Sequence, residues 1–349
     1  MKPVKAYYKR VTFTFKFGAE TSRGILYKKD SYFLVLKQNG ITGIGECSPI
    51  QGLSIDDPVT YVIKLKNLCN SINIGETINT GTLGKYPSIK FAYEAALSDL
   101  RNGGKRVYFK NEFIDGKKFI PINGLIWMGK KEFMQEQILE KLKQGFKCIK
   151  IKVGAIDFTT ELNILKWIRK DLKREDVEIR LDANGAFTSS DVFNKLKKLA
   201  QYNIHSIEQP VKAGLYNLMS DVIKKSPIPV ALDEELIGIY GEEKKELIRI
   251  LKPAYVILKP TLLGGISSCA EWIEIAEKSN IGWWVTSALE SNIGLNVLAQ
   301  WVGSFNKEIK QGLGTGNLYS NNIPSPLYIE NAGLRYNPNV EWDVSDILR

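Results

Sequence analysis

The feature that most constrains the fold is a repeated unit of short apolar strand, turn and amphipathic helix, which begins at Pro121. Eight strands are predicted in this repeat, over residues 122–127, 147–153, 177–182, 204–208, 229–233, 255–259, 282–287 and 309–314. Eight successive units of this kind are typical of an α/β fold, the (β/α)8 barrel, whose active-site residues lie at the carboxyl ends of its strands. We therefore predict a barrel over residues 119–319.

The chain before the barrel, residues 1–118, has a mixed pattern. It predicts one long strand, a hairpin that turns at Asn39-Gly40, and two helices, at residues 7–17, 32–45, 61–68 and 91–100. Asn-Gly between alternating apolar residues is a strong hairpin signal, because both residues tolerate the left-handed backbone of a tight turn. We therefore predict a small α+β domain ahead of the barrel.

Polar side chains stand at the carboxyl ends of six predicted strands, 25 to 30 residues apart. They are Lys152, Asp182, Glu208, Asp233, Lys259 and Ser287. Successive side chains of a strand point to opposite faces, so these residues and Lys150 point into the barrel while their apolar neighbours face the helices. The same alternation turns the lone His205 outward and predicts a packed or surface histidine. Each repeat therefore delivers one polar group to a common rim.

Three of these rim residues are carboxylates on adjacent strands, Asp182, Glu208 and Asp233. They would repel one another in a partly desolvated site unless a cation lay between them, and oxygen ligands favour Mg²⁺, with Mn²⁺ as the second choice. The alternative is that each acid caps a helix or forms a surface ion pair. Only the common spacing argues against that alternative.

Lysines flank the three acids, with Lys150 and Lys152 on the second strand and Lys259 on the sixth. A neighbouring lysine or a divalent cation disfavours the protonated amine, which would allow a lysine to act as a general base. The alternative is simple pairing of each lysine with a carboxylate. A metal that faces a lysine base suits removal of the proton α to a carboxylate, because the metal stabilises the enediolate oxygens.

Composition narrows the range of partners. Lys and Arg exceed Asp and Glu by 48 to 38, a net charge of +10, but the lysines are spread along the whole chain. This favours a small anionic carboxylate substrate over nucleic acid. No apolar run approaches a membrane span, the first residues have no apolar signal core, and four cysteines without paired spacing suit a reducing compartment. We therefore expect a cytoplasmic protein that does not bind membranes.

The strand-end motifs resemble the enolase superfamily, in its muconate-lactonising subgroup. The five motifs are KIKVG at 150–154, LDANG at 181–185, IEQP at 207–210, LDE at 232–234 and LKP at 258–260. The run GIGECSP at 43–49 resembles the capping-domain turn of the same family. The resemblance implies that residues 1–118, completed by residues 320–349, form an α+β capping domain over the barrel mouth, with a lid loop near residues 17–23.

The resemblance also implies site roles. Asp182, Glu208 and Asp233 would bind Mg²⁺, and Lys152 and Lys259 would be the acid/base pair. The glycine-rich run 312–316, with residues 286–292 before it, is most similar to the o-succinylbenzoate synthase family of menaquinone synthesis, which implies a dehydratase. The candidate substrate-binding residues, at or near the strand ends, are Lys150, Asn184, Ser287, Gly314 and Thr315.

Other readings stay open at this point. Within the subgroup, lysines on both faces would also serve an N-acylamino acid racemase or a dipeptide epimerase. Outside it, Lys259 could form a Schiff base as in an aldolase, or the barrel could bind anions without catalysis. The sequence does not decide whether Glu234 and Glu235 support the metal site or are solvated.

Overall fold

The computed structural model describes residues 3–21, 24–173, 175–306 and 308–349. Its amino-terminal part is a three-stranded antiparallel sheet, in the order β1-β2-β3, with two helices packed on it. These elements are β1 (Lys5–Thr21), β2 (Gly24–Gln38), β3 (Ile41–Cys47), α1 (Tyr61–Asn73) and α2 (Pro87–Arg101). Asn39 and Gly40 have positive φ at the β2–β3 turn. The predicted hairpin and both predicted helices are therefore present.

The structure differs from the lid loop predicted near residues 17–23. Residues 17 to 21 continue strand β1, and after a register shift residues 19 to 21 pair with β2, so this part is an extended hairpin arm instead of a loop. Ser22 and Arg23 lie outside the described residues. The ring of Phe17 meets the ring of Trp127 edge-on at 5.9 Å, so the arm already touches the barrel. The long alternation of apolar and polar residues in β1 explains why pairing extends this far.

The barrel is a sheet of seven parallel strands, in the order β11-β10-β9-β8-β7-β6-β5. Its strands are β5 (Gly124–Ile126), β6 (Cys148–Lys152), β7 (Glu178–Asp182), β8 (Ser206–Glu208), β9 (Val230–Leu232), β10 (Tyr255–Leu258) and β11 (Gly282–Val285). The predicted eighth strand is reduced to two parallel bridges, Ile122 to Gln311 and Thr286 to Gly312. Because these bridges join the first and last strands, the sheet closes into a (β/α)8-type barrel.

Helices cover the outside of the barrel. They are α3 (Lys131–Lys143), α4 (Phe158–Asp171), α5 (Val192–Leu199), α6 (Tyr216–Lys225), α7 (Glu242–Leu251), α8 (Pro260–Leu263), α9 (Gly265–Lys278) and α10 (Asn292–Gly303). Gly145 ends the turn after α3 with a φ of 82°, and Asp157 caps α4 by accepting from the Thr160 amide at 2.9 Å. Within the described ranges, no helix is long and apolar enough to cross a membrane.

The chain end returns to both parts of the molecule. A small antiparallel sheet joins β12 (Leu327–Glu330) and β13 (Gly333–Tyr336) to β4 (Ile120–Pro121), and α11 (Ser345–Leu348) follows. Ile347 is buried in one cluster with Phe13 and Phe33 of the capping sheet. The carboxyl-terminal segment therefore packs on the capping sheet, while the domain boundaries given above stay a prediction.

The alternation of side chains along the barrel strands is confirmed. The outward residues Leu181, Ile207 and Leu258 belong to the main core beneath the helices, whereas Ala231, Ile257 and Trp284 form a separate cluster inside the barrel. His205 is a packed histidine, as predicted, but its direction was wrong. Its ring stacks on Tyr255 at 5.1 Å and packs against the ring of Trp284, which belongs to the cluster inside the barrel, although its backbone amide still donates to Ile179 of the neighbouring strand.

The contact between β3 and α2 generates a stability prediction. A Cβ atom at Gly45 would lie 1.9 Å from the carbonyl oxygen of Ala92, so the Gly45→Ala variant must force the strand from the helix. We expect the free energy of unfolding to fall by about 3 kcal/mol, the upper end for overpacking. Gly84→Ala is the control, because its φ is −56° and its Cβ would make an ordinary contact at 3.4 Å. Equal denaturation midpoints for the two variants would contradict this packing.

Candidate active site

A cavity of about 390 Å³ lies between the capping sheet and the carboxyl ends of the barrel strands. Eight of the ten site residues predicted from the sequence line it: Lys150, Lys152, Asp182, Asn184, Lys259, Ser287, Gly314 and Thr315. The other two, Glu208 and Asp233, lie beneath the surface, in contact with lysines that do line it. The structure therefore brings the predicted set together at one mouth.

Lys150 is bound between two carboxylates at the floor of this cavity. Its Nζ donates to both carboxylate oxygens of Glu208 at 2.7 Å and lies 2.9 Å from Oδ2 of Asp182. All three side chains are nearly inaccessible to solvent. Strand register explains the arrangement, because Asp182 pairs with Glu208 across neighbouring strands and Lys150 is two residues before the partner of Asp182. Lys150 is therefore a fixed charge under the site.

Lys152 and Lys259 are more accessible, with side chains 13% and 12% exposed. Lys152 Nζ donates to Oδ1 of Asn184 at 2.5 Å and lies 3.4 Å from Oδ2 of Asp182. Lys259 forms an ion pair with Asp233. The two amines come from β6 and from the end of β10, on different sides of the sheet order, so a lysine amine reaches the cavity from each of two walls.

The charged groups in the cavity floor shift one another's pKa values. Burial lowers the pKa of Lys150, but Asp182 and Glu208 outweigh burial, and the pKa lies above its usual range. The same balance of burial against Asp233 and Glu208 raises the pKa of Lys259. Burial and the neighbouring Asp182 raise the pKa of Glu208. The carboxylates around these two amines therefore favour their protonated forms, whereas the expectation that a neighbouring lysine and a divalent cation disfavour protonation stays a prediction.

The donor set fits a hard divalent cation. Asp182, Glu208 and Asp233 are buried carboxylates at the ends of three adjacent strands, and oxygen donors of this kind suit Mg²⁺. As the side chains stand, no three acidic, histidine or cysteine residues in the described part of the chain are close enough to hold a metal. The Lys150 ammonium instead lies between Asp182 and Glu208, so positive charge is already accommodated there. The assignment of these residues as metal ligands stays a prediction.

The opposite wall is formed by the last two strand segments. The hydroxyl groups of Ser287 and Thr315 are hydrogen-bonded at 2.5 Å, and both residues are buried. Position 312 has no room for a side chain, since a Cβ atom at Gly312 would lie 2.4 Å from Oγ1 of Thr286. Gly314 lines the cavity without such a close neighbour. This wall therefore offers hydroxyl groups and backbone atoms to the cavity and, among the described residues, no charged side chain.

Several lining residues were missed by the sequence reading. They are Leu26, the loop Ile50 to Leu53, Asn123, Leu125, Trp127, Glu234, Leu262, Thr286, Ala288, Leu289 and Gly312. The alternation used for the other strands would have found Asn123, Leu125 and Trp127, because they occupy every second position of the first predicted strand. The capping residues had a weaker signal, since residues 50–53 directly follow the GIGECSP turn. Leu26 lies on the hairpin arm and carried none.

The two glutamates after Asp233 have separate environments. Glu234 accepts from Nδ2 of Asn184 at 3.0 Å and lines the cavity. Glu235 points away, accepting from the Gly214 amide at 2.8 Å and from Nε2 of Gln209 at 2.9 Å. Glu234 therefore connects the fifth strand end to the residue that binds Lys152, whereas Glu235 anchors a neighbouring loop.

Comparison with known proteins gives a consistent result. The family model described as enolase C-terminal domain-like matches residues 134–332. An o-succinylbenzoate synthase of Desulfotalea psychrophila is 41% identical, with 95% of this chain and 98% of its own length covered. The crystal structure of MenC from that organism has a TM-score of 0.87 at 38% identity and covers 96% of this chain and 100% of its own. A D-Ala-D/L-Ala epimerase of Cytophaga hutchinsonii is 28% identical over 75% of this chain and 72% of its own.

The buried ion pairs of the floor generate a second prediction. In Lys150→Met, two buried carboxylates lose their compensating charge, and in chelator we expect unfolding to become easier by about 3–5 kcal/mol. Lys245→Met is the control, because Lys245 pairs with Glu242 on the surface and its loss should change little. Thermal or denaturant unfolding of both variants is the measurement. Indistinguishable stabilities would mean that Lys150 does not balance the floor carboxylates.

Proposed function

Because the chain belongs to the enolase superfamily, we propose that it is a carbon–oxygen lyase that dehydrates 2-succinyl-6-hydroxy-2,4-cyclohexadiene-1-carboxylate to o-succinylbenzoate. The observation that carries this proposal is the 41% identity, over nearly the whole of both chains, to an o-succinylbenzoate synthase. The matching MenC structure supports it, and the epimerase relatives are more distant.

Lys152 is the proposed base. Its amine reaches the cavity and is oriented by Asn184, and Glu234 holds Asn184 in turn. It takes the proton α to the ring carboxylate, and the electron pair of that C–H bond moves onto the carboxylate to give an enediolate. The pair then returns to form the new ring double bond as the C–O bond to the hydroxyl group breaks. Lys152 then returns the proton to the departing oxygen, which leaves as water. The product is the aromatic o-succinylbenzoate, and the reaction needs no oxidant.

Lys259 acts as a fixed cation in this proposal. Its amine lies on the other wall, next to Asp233, where a protonated amine would stabilise the charge that moves onto the substrate carboxylate. Asp182, Glu208 and Asp233 are the proposed ligands of Mg²⁺. When bound, the ion supplies positive charge next to the substrate carboxylate and lowers the cost of removing the α proton.

The cavity suits a ring that carries two anionic groups. Its apolar walls include Leu125, Trp127 and Leu262, which can enclose a six-membered ring, while the lysines and the Ser287–Thr315 pair offer polar contacts. The net charge of +10 favours approach of an anion. We propose a small anionic carboxylate as the substrate, with no role for nucleic acid or membrane.

Racemisation of N-acylamino acids is the second candidate, as a side activity. The observation that favours it is that amines stand on two walls of the cavity, since racemisation needs one acid/base group on each face. A Schiff-base aldolase is disfavoured, because such chemistry would leave the three rim carboxylates without a role. A non-catalytic anion-binding barrel would not need carboxylates beneath each lysine.

The finer biological setting is also proposed. Formation of o-succinylbenzoate is a step of menaquinone biosynthesis, and we place this reaction in that pathway. All four cysteines are buried free thiols, which supports a reducing compartment and hence the cytoplasm.

Metal dependence is the first prediction of this function. Excess chelator should abolish turnover, and Mg²⁺ should restore it. Replacing Glu208 by Gln removes one anionic ligand and should weaken Mg²⁺ binding by at least about tenfold, the lower range for perturbing groups around a bound metal. Asp99→Asn, in a buried carboxylate of the capping domain, is the control and should leave Mg²⁺ affinity unchanged. Full activity in chelator would remove the metal from the proposal.

The second prediction separates the two lysines. Lys152→Ala should lower kcat/KM for dehydration by about a thousandfold or more, the scale of an acid/base group. Lys259→Arg keeps a positive charge and should retain more dehydratase activity than Lys259→Ala, whereas both should lose any racemase activity. Turnover of each substrate, with exchange of the α proton in deuterated solvent, is the measurement. Substantial dehydration by Lys152→Ala would place the base elsewhere.

A further inference from the structure

The segment from Ser287 to Ser291, which joins β11 to α10, forms part of the cavity wall in a strained conformation. Leu289 has a φ of 61°, a region that a residue with a large side chain rarely adopts. Ser287, Ala288 and Leu289 all line the cavity. A strained residue persists only where its surroundings hold it, and such residues are concentrated at functional sites. The groups that hold Leu289 in this conformation therefore bear on the shape of the cavity.

Two groups outside the capping strands hold the segment. The hydroxyl group of Tyr319 donates to the carbonyl oxygen of Leu289 at 2.7 Å. The carboxylate of Glu290 turns back on its own segment, accepting from the Ala288 amide at 2.6 Å and from Oγ1 of Thr261 at 2.5 Å. Both side chains are buried, so neither contact competes with water.

The strongest tether comes from the capping sheet. Glu46 on β3 is fully buried, and its carboxylate accepts from the Ser291 amide at 2.9 Å, from Oγ of Ser291 at 2.6 Å and from the Gly294 amide at 2.9 Å. A Cβ at Gly294 would lie 3.0 Å from the Glu46 carboxylate, so the glycine permits this approach. Ser31 also donates to Glu46, at 2.7 Å. Glu46 lies in the GIGECSP turn and was not among the site residues predicted from the sequence.

We propose that Glu46 is a positioning residue, which fixes the strained segment so that Leu289 presents its side chain to the substrate. Leu289 also packs against the capping-sheet cluster that contains Phe33 and Ile44, so the cavity wall and the capping sheet share this contact. The carboxylate of Glu46 therefore contributes both to docking of the capping domain and to the shape of the substrate site. The inference rests on the proposed function only in taking this cavity as the substrate site.

The electrostatics explain why a carboxylate is needed. Buried anions are stable when they accept several hydrogen bonds, and the amides at the start of α10 supply them together with a favourable helix dipole. Buried Lys29 on β2 donates to Ser31 and Ser48, so its amine extends the hydrogen-bond network behind the carboxylate. Glutamine has one acceptor oxygen in place of two, so Glu46→Gln leaves the Ser291 and Gly294 amides competing for it.

The test uses the full-length protein with Mg²⁺ and o-succinylbenzoate as the probe. For Glu46→Gln we expect the Kd for o-succinylbenzoate and the KM to rise by about tenfold, with kcat nearly unchanged, since a hydrogen bond to a charged group is of this size. For Tyr319→Phe, which removes a hydrogen bond between neutral groups, we expect the same split with a rise of about fivefold. We also expect faster amide hydrogen exchange at Ala288 and Leu289, which do not bond to Glu46. A purely structural role would change stability without splitting KM from kcat.

Matched controls make the result decisive. Asp56→Asn and Tyr61→Phe alter a buried carboxyl and a buried hydroxyl whose hydrogen bonds to Ser88 stay within the capping domain, and they should leave all three readouts unchanged. Unchanged exchange at Ala288 and Leu289 in both test variants, or equal changes in the controls, would overturn the proposal. Absence of o-succinylbenzoate binding by the unaltered protein would instead overturn the proposed function, while the exchange data would still decide the role of Glu46.

Discussion

The interaction on which the site depends is the pairing of buried carboxylates with ammonium groups at the carboxyl ends of the barrel strands. Lys150 alone contacts Glu208 and Asp182 within 3 Å, and Lys259 contacts Asp233. Charges buried to this degree are tolerable only when they are compensated, so the position of each is fixed by the others. A site built in this way has its lysines and carboxylates gathered at one mouth before a substrate arrives.

Much of this arrangement follows from the sequence, because the barrel is periodic. A spacing of 25 to 30 residues and the alternation of side chains along a strand were enough to bring Lys152, Asp182 and Lys259 to one cavity. The predictions failed for residues that lie outside this periodic pattern. His205 precedes its strand, and the eighth strand is too short to alternate. The charge balance that raises the pKa of Lys150 and Lys259 also depends on distances that no spacing rule supplies.

The capping domain was the harder part to predict for a physical reason. Its contributions to the cavity, such as Leu26 and the loop Ile50 to Leu53, are apolar or small residues that look like any surface loop in a sequence. Their role arises only from docking, and docking depends on contacts such as those between Glu46 and the start of α10. Contacts between residues more than 200 positions apart, as these are, leave no local pattern to read.

The central claim is that this cavity dehydrates a succinyl-bearing cyclohexadiene carboxylate in preference to the reactions of its epimerase and racemase relatives. The most direct measurement is kcat/KM of the purified, Mg²⁺-loaded protein on that substrate and on N-succinyl amino acids, with the product identified by its aromatic absorbance and by NMR. The account predicts conversion to o-succinylbenzoate and water with the higher kcat/KM. Efficient racemisation without dehydration would contradict it.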